Sequence, residues 1–289
     1  MSTTASLQAL IEKTDHYDKD ERYMATSDLC AILSKDIKID EVLEKRICGV
    51  VLKQLDDPCN NVQSVAVRCL GILLKKVHEA PVVEICDKLC ALILDGKSAL
   101  RDIYSMGLKT LIDDVPEEMG NLVSSRIITP LLRGISTSQN DDIKRECLDR
   151  MGDLLRRFGY LVAREHEDVM TAAIRQLDHP RAPIRRRAAA CLGSLAVILS
   201  DHLLNRLVDT ILSQITAPTV SDKTTLITTI GNISRTVGFR LGKYLDRLIP
   251  EFLRFCGDPE DESQQDEAAN ELRESCFPGL ESFVLRCPR

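Results

Sequence analysis

Gln176-Leu-Asp-His-Pro-Arg-Ala-Pro-Ile-Arg-Arg-Arg-Ala-Ala-Ala-Cys-Leu-Gly-Ser-Leu-Ala-Val-Ile-Leu199 decides the fold, because the chain carries an earlier twin of it. The twin is Gln54-Leu-Asp-Asp-Pro-Cys-Asn-Asn-Val-Gln-Ser-Val-Ala-Val-Arg-Cys-Leu-Gly-Ile-Leu-Leu-Lys-Lys-Val77. Aligned without a gap, Gln54, Leu55, Asp56, Pro58, Ala66, Cys69, Leu70, Gly71 and Leu73 meet identical residues. The copies lie 122 residues apart, three periods of 41. A period of ~40–47 residues built from helix pairs is the signature of HEAT or armadillo repeats.

The rest of the chain keeps this beat. Val62, Val65, Ala66, Cys69, Leu70, Leu73, Leu74 and Val77 make an unbroken helical stripe, so the helix buries one face. With Leu70 as marker, the equivalent positions are Leu29, Leu70, Leu108, Met151, Leu192, Ile230 and Leu280, at gaps of 41, 38, 43, 41, 38 and 50. Gly71 is matched by Gly152 and Gly193. A mid-helix glycine costs about 1 kcal/mol of helix propensity, and close helix–helix approach is the expected compensation.

Before each of these second helices a first helix ends in a turn marked by breakers: Asp57-Pro58, Asp95-Gly96, His179-Pro180, Ala217-Pro218 and Asp258-Pro259. Pro130 and Pro250 fall inside first helices, where a kink is expected. A kinked first helix and a straight second one fit a HEAT unit better than the three-helix armadillo unit. The expectation is an all-α, armadillo-like HEAT-repeat solenoid of about seven helix pairs. It forms a single array over 1–289, with repeats at 1–36, 37–78, 79–116, 117–159, 160–200, 201–238 and 239–289. The last repeat holds the stretch 257–271, with seven acids and no base, expected to be an exposed loop.

Composition agrees with helical packing. The 289 residues are 44% hydrophobic but only 4% aromatic, without Trp, which favours aliphatic stripes over a β-sandwich. A net charge of −6 argues against general nucleic-acid binding. No basic segment followed by an apolar one opens the chain, and no apolar run nears the ~18 residues that span a bilayer. Eleven scattered cysteines then read as reduced thiols, several on apolar helix phases, and a cytoplasmic or nuclear setting is expected.

One column repeats in charge. Arg22, Gln63, Arg101, Lys144, Arg185, Lys223 and Arg273 are basic in six of seven repeats, and Asp57, Asp95 and Asp178 sit six or seven places earlier in their turns. Two readings stand: an ion-pair and capping ladder between repeats, or a basic stripe for an acidic partner. The sharpest local feature is five arginines between Arg175 and Arg187. Of these Arg181, Arg185, Arg186 and Arg187 are the candidate partner-binding residues, Arg187 taking a phase that is Val65 in the twin. Arginine suits a carboxylate-rich surface, but a solvated first turn with Arg187 snorkelling is the plainer account.

No phosphate-binding, dinucleotide, nucleophile-elbow or His-Glu-x-x-His motif is present, so no catalytic residue, cofactor or metal is assigned. Cys86 and Cys90 share a helical face near His78 in sequence, and they read as core thiols because zinc needs four ligands. Asn232-Ile-Ser234 is a formal glycosylation sequon placed mid-helix and reads as chance.

Five segments carry a resemblance. Asp18–Leu29, Val62–Gly71, Leu100–Leu111, Ile233–Leu245 and Glu281–Pro288, in that order, resemble the cullin-associated neddylation-dissociated proteins, also called TATA-binding-protein-interacting proteins. The acidic insertion and the length depart from that family, whose members are much longer HEAT solenoids. This chain resembles their first quarter, as a truncated product or gene model or as one half of a split version. The resemblance implies a non-enzymatic regulator of cullin-RING ubiquitin ligases. It would bind the unneddylated cullin C-terminal domain and the RING subunit, limit neddylation and support substrate-receptor exchange. A separate C-terminal polypeptide of the same family is a further implied partner, and neither nucleic acid nor membrane is expected. The alternative is another HEAT scaffold, of the nuclear-transport-receptor or phosphatase-scaffold kind.

Overall fold

A computed structural model describes residues 3–35, 37–95, 99–217, 223–256 and 267–287. The described residues form α-helices and short 3-10 turns, with no strand among them. The helices come in seven pairs, as the period requires. They are α1 (Thr3–Lys13) with α2 (Lys19–Leu33), α3 (Glu41–Gln54) with α4 (Asn60–Leu74), and α5 (Glu79–Leu94) with α6 (Arg101–Asp114). Then follow α7 (Gly120–Thr137) with α8 (Asp141–Phe158), and α9 (His166–Arg175) with α10 (Ala182–Ile198). The last are α11 (Asp201–Thr216) with α12 (Thr224–Val237), and α13 (Leu245–Cys256) with α14 (Glu267–Arg286). Starts are set by local chemistry: Asp18, Asp40, Asn140 and Ser200 each accept a bond from an orphan amide in the first turn of the helix they precede.

Two compact units appear, Met1–Gly134 and Ile135–Arg289. In the first, second helices α2, α4 and α6 pack side by side, and α3 lies against α5; in the second, α8, α10, α12 and α14 do the same, and α11 lies against α13. One helix pair has too little interior to bury both flanks, so each relies on its neighbours for its core. Leu29, Leu70, Leu108, Met151, Leu192 and Ile230 are fully buried, each worth about 2 kcal/mol of apolar burial. Leu280, the seventh marker, is half-buried.

Five of the seven column residues, Arg22, Gln63, Arg101, Lys144 and Arg185, bond turn or helix-end carbonyls as a capping ladder. Arg22 donates to the carbonyl oxygens of His16 and Tyr17 at the end of its own repeat's turn, 3.0 Å each. It also forms a two-pronged pair with Asp57 of the next repeat, at 2.7 and 3.1 Å. Gln63 donates to the Asp57 carbonyl at 2.7 Å, Arg101 to the carbonyls of Ile93 and Asp95, and Arg185 to those of His179 and Pro180. Ile93 O is one of the carbonyls that a terminating helix leaves without partners, and the others lie in the turns between the paired helices. The twin glutamines complete the ladder from the other side. Gln54 donates to Thr14 O at 2.6 Å and Gln176 to Ile135 O at 3.3 Å, each closing the end of the preceding repeat's first helix. Where the twin has His179 instead of Asp57, the preceding cation is Lys144, and it turns to the Gln176 side chain at 3.3 Å. Lys223 lies over the Phe255 ring instead.

Two expectations need correction. Close approach explains Gly71 alone of the three glycines: a Cβ there would meet Asp114 Oδ2 at 2.5 Å and Thr110 Cγ2 at 3.0 Å. At Gly152 it would meet only the tip of Arg156, and at Gly193 an ordinary 3.8 Å contact with Asn232 Cβ. The acidic stretch is not all loop. Residues 267–271 open α14, because Glu-Ala-Ala-Asn-Glu has high helix propensity and acids favour a helix N-terminus. Residues 257–266, with Asp258 and Pro259, and the breakers Gly96 and Pro218 lie outside the described residues. Pro130 and Pro250 lie inside the first helices α7 and α13, as expected, and Pro278 lies inside α14.

Asp57 supplies a test of the ladder. Burial pushes its carboxyl pKa upward, but the bonds from Arg22 and from the Cys59 amide outweigh it and hold the pKa below the ordinary value. A depressed carboxyl stabilises the fold above its unfolded pKa, and that stability is lost as pH falls through the folded one. Asp57→Asn should therefore lower the unfolding free energy by about 3 kcal/mol at neutral pH. Denaturant titrations should also show a smaller loss of stability below about pH 4 than in the wild type. Gly193→Ala should move the other way, raising stability by about 1 kcal/mol in the same titration.

Candidate protein-interaction surface

The first turns of α10 gather the candidate arginines because Pro183 pre-sets the second helical position and Arg181 stands at the N-cap. The four side chains then diverge. Arg185 turns inward, 2.9 Å from His179 O and 3.0 Å from Pro180 O, and reaches Thr225 Oγ1 of α12 at 3.1 Å. Arg187 crosses to α8 and pairs with Asp149 at 2.7 Å, which answers the snorkelling expectation: its charge is met by a carboxylate rather than by water alone. Arg181 pairs with Asp141 of α8 at 2.5 Å yet remains 71% exposed. His179 Nε2 lies 3.4 Å from the other oxygen of Asp141, and His179 Nδ1 accepts the Arg181 amide. Arg186 points to solvent, as does Arg175 on α9.

The adjoining face of α8 continues the mixture. Arg156 is 60% exposed, bonds Ser194 of α10 at 3.1 Å and pairs with the buried Asp153. Arg145 is half-buried between Asp142 and Glu146. The surface is thus a lattice of paired charges from which Arg181 and Arg186 offer open donors. Such a lattice can hold an acidic or hydrogen-bonding partner surface. It has no nucleophile–base pair.

Other chemistry-bearing residues are accounted for by the fold. Glu44 is buried and accepts both the His78 amide, at 2.7 Å, and the ring Nδ1, at 2.8 Å, an arrangement that raises the His78 pKa. Cys86 and Cys90 are buried, and burial pushes both thiols up, Cys90 to about 12. All eleven cysteines are free. Cys30 differs: the hydrogen bond from Cys69, with help from Arg68, lowers it to about 6 against its burial. Its sulfur is nonetheless enclosed. His166 is buried on Gly159 O at 2.7 Å. Among the described residues no group of three or more His, Cys, Asp or Glu could hold a metal ion. Ser234 of the sequon is buried and bonded to Ser282 at 2.7 Å, consistent with a chance match. No described helix is long and apolar enough to cross a membrane.

Sequence reasoning missed one surface. The outer sides of α13 and α14 form an apolar groove that includes Ile249, Leu253, Leu280 and Val284. Leu280 was read as one more core marker; the signal available was its place in the last repeat.

No family model matches the chain. Named relatives do. "Cullin-associated NEDD8-dissociated protein 1" of Arabidopsis thaliana is 37% identical over 94% of this chain and 22% of its own length. "Cullin-associated NEDD8-dissociated protein 2" of Mus musculus is 36% identical over the whole chain and 24% of its own length. This chain thus spans about a quarter of the length of these relatives. "Cullin-associated NEDD8-dissociated protein 1, N-terminal part" of Emericella nidulans is 24% identical over 88% of the chain and 84% of that protein. Among solved structures, the karyopherin Kap121p bound to the extreme C-terminus of the phosphatase Cdc14p superposes with a TM-score of 0.68 at 15% identity. That match covers 98% of this chain and 30% of the other, and it shows the HEAT-type fold alone.

The arginines separate by role in one experiment. Arg185→Ala should cost about 2 kcal/mol of stability by removing charged bonds to the turn carbonyls. Arg186→Ala should stay within about 0.5 kcal/mol of wild type. Chemical denaturation of the two variants side by side measures both.

Proposed function

We propose, this chain being a homologue of the cullin-associated NEDD8-dissociated proteins along nearly its whole length, that it acts as a non-enzymatic regulator of cullin-RING ubiquitin ligases. The observation that carries the reading is 36–37% identity sustained over 94–100% of the chain in relatives as distant as a plant and a mouse. In this reading the chain binds the unneddylated cullin C-terminal domain together with the RING subunit. It thereby limits attachment of the ubiquitin-like modifier and supports exchange of substrate receptors. The work is done by contact: a fold with nine of its eleven thiols buried and many of its charges paired offers surface complementarity. Arg181 and Arg186 are the proposed contacts for partner carboxylates, with Arg187 and Arg185 holding the helix that presents them. The setting is the cytoplasm or nucleus, where reduced thiols and cullin ligases fit together.

The Emericella nidulans relative named as an N-terminal part is of comparable extent. It supports the view that a second polypeptide of the same family supplies the remaining repeats. Likeness to Kap121p favours only the shared fold, and binding of a transport GTPase would be the mark of that alternative.

Immobilised chain should retain an unmodified cullin–RING complex and lose most of it, about tenfold or more, when the cullin is neddylated. Equal retention of both forms, or of neither, contradicts the reading. Arg181→Glu with Arg186→Glu should weaken retention of the unmodified complex about tenfold, or ~1.4 kcal/mol, with unchanged circular dichroism.

A further inference from the structure

Second helices α2 and α4 pack side by side, and the repeat register says which residues meet across them. Cys30 follows the marker Leu29 by one position, and Cys69 precedes the marker Leu70 by one. Gly231 and Gly279 hold the same two places on α12 and α14, where a Cβ at Gly231 would stand 3.6 Å from the Gly279 Cα. This register thus sets one residue of each second helix directly against its neighbour, within reach of the ~3.5–4.5 Å that separates Cβ atoms in a disulfide. At Cys30 and Cys69 the two thiols are hydrogen-bonded to one another.

The two sulfurs differ in position. Cys69 is fully buried, and Cys30 is 4% exposed. Arg68 is exposed and donates to the Cys30 sulfur from the solvent side, so a swing of one surface side chain opens Cys30 while Cys69 stays behind it. The Cys69 thiol, helped by the Arg68 guanidinium, pulls the Cys30 pKa below the ordinary thiol range. Bonded to that sulfur and buried, Cys69 is pushed up and keeps its proton. Cys48 is the other titratable group beside Cys69, and burial pushes it up as well. An outer thiolate next to a cation, backed by an inner thiol, is the arrangement that reacts with oxidants. Cys86, Cys90 and Cys191 differ, since burial raises all three.

We infer that Cys30 and Cys69 form a redox modification site, at which a hydroperoxide converts the thiol pair into a disulfide that ties α2 to α4. First the Cys30 thiolate attacks one peroxide oxygen and the O–O bond breaks. Hydroxide leaves, takes a proton from solvent, and Cys30 becomes a sulfenic acid. The Cys69 sulfur then attacks Cys30 Sγ, the S–O bond breaks, and the departing oxygen carries off the Cys69 proton as water. Two electrons pass from the thiols to the peroxide, and with hydrogen peroxide two waters form. A thiol reductant reverses the bond by exchange.

The test treats the full chain with hydrogen peroxide at neutral pH, alkylates the remaining thiols and maps the peptides by mass spectrometry. The expected product is the Cys30 peptide joined to the Cys69 peptide, separated again by dithiothreitol, with Cys86 and Cys191 still reduced. Its rate of formation should rise less than about threefold between pH 7 and pH 9, where an ordinary thiol of pKa ~8.5 gains more than tenfold. In Cys69→Ser, whose hydroxyl still donates, Cys30 should stop at a sulfenic acid that a 1,3-diketone traps. In Cys69→Ala the steep pH dependence should return, with circular dichroism unchanged in both variants. Failure of the linked peptide to form, pairing of Cys30 with any other cysteine, or the pH dependence of an ordinary thiol in the wild type would overturn the assignment.

Discussion

The interaction on which the rest depends is the bond between a long polar side chain and the carbonyls at a turn between paired helices. A helix end is the weakest part of an all-α array, since four carbonyls lose their partners there. Arg101 meets this need at Ile93, Arg22 and Arg185 hold the turn carbonyls just beyond a helix end, and Gln54 and Gln176 reach back from the next repeat. Capping and stacking are therefore one operation. Arg22 shows both halves at once, with the turn carbonyls on one side and Asp57 of the next repeat on the other.

Once the turns are fixed, the apolar stripes have little choice. The marker column from Leu29 to Ile230 is buried because each pair presents one stripe to its own partner helix and its flanks to its neighbours. The surface left over is charged and largely paired. Pairs such as Arg206 with Glu167, and Arg247 with Asp209, join successive first helices at 2.5 and 2.6 Å. They are exposed, and each adds little to stability. Arg186 stays exposed beside such pairs, and Arg181 remains largely exposed although it meets Asp141.

Most of the fold was legible in the sequence, because a repeat states the same fact several times over. The helix pairs, the enclosed thiols and the column of cations all follow from positions that recur. What failed were inferences from single residues. Gly152 and Gly193 looked like close-approach sites, yet their neighbours stand off; only contact geometry distinguishes them from Gly71. The arginine cluster gave four candidates, with Arg187 set apart at a core phase, but not their partners. Arg187 and Arg181 are answered by Asp149 and Asp141, residues of the previous repeat that no local window around α10 contains. Leu280 matched the marker column, yet it is only half-buried.

The proposed contact with a cullin–RING complex is tested most directly by hydrogen exchange of the chain with and without the unmodified complex. Protection is predicted to rise in the first turns of α10 and on the adjoining face of α8, with the amides of the buried marker helices unchanged. Saturating complex with no change anywhere along the chain, or protection confined to residues remote from α8 and α10, would contradict it.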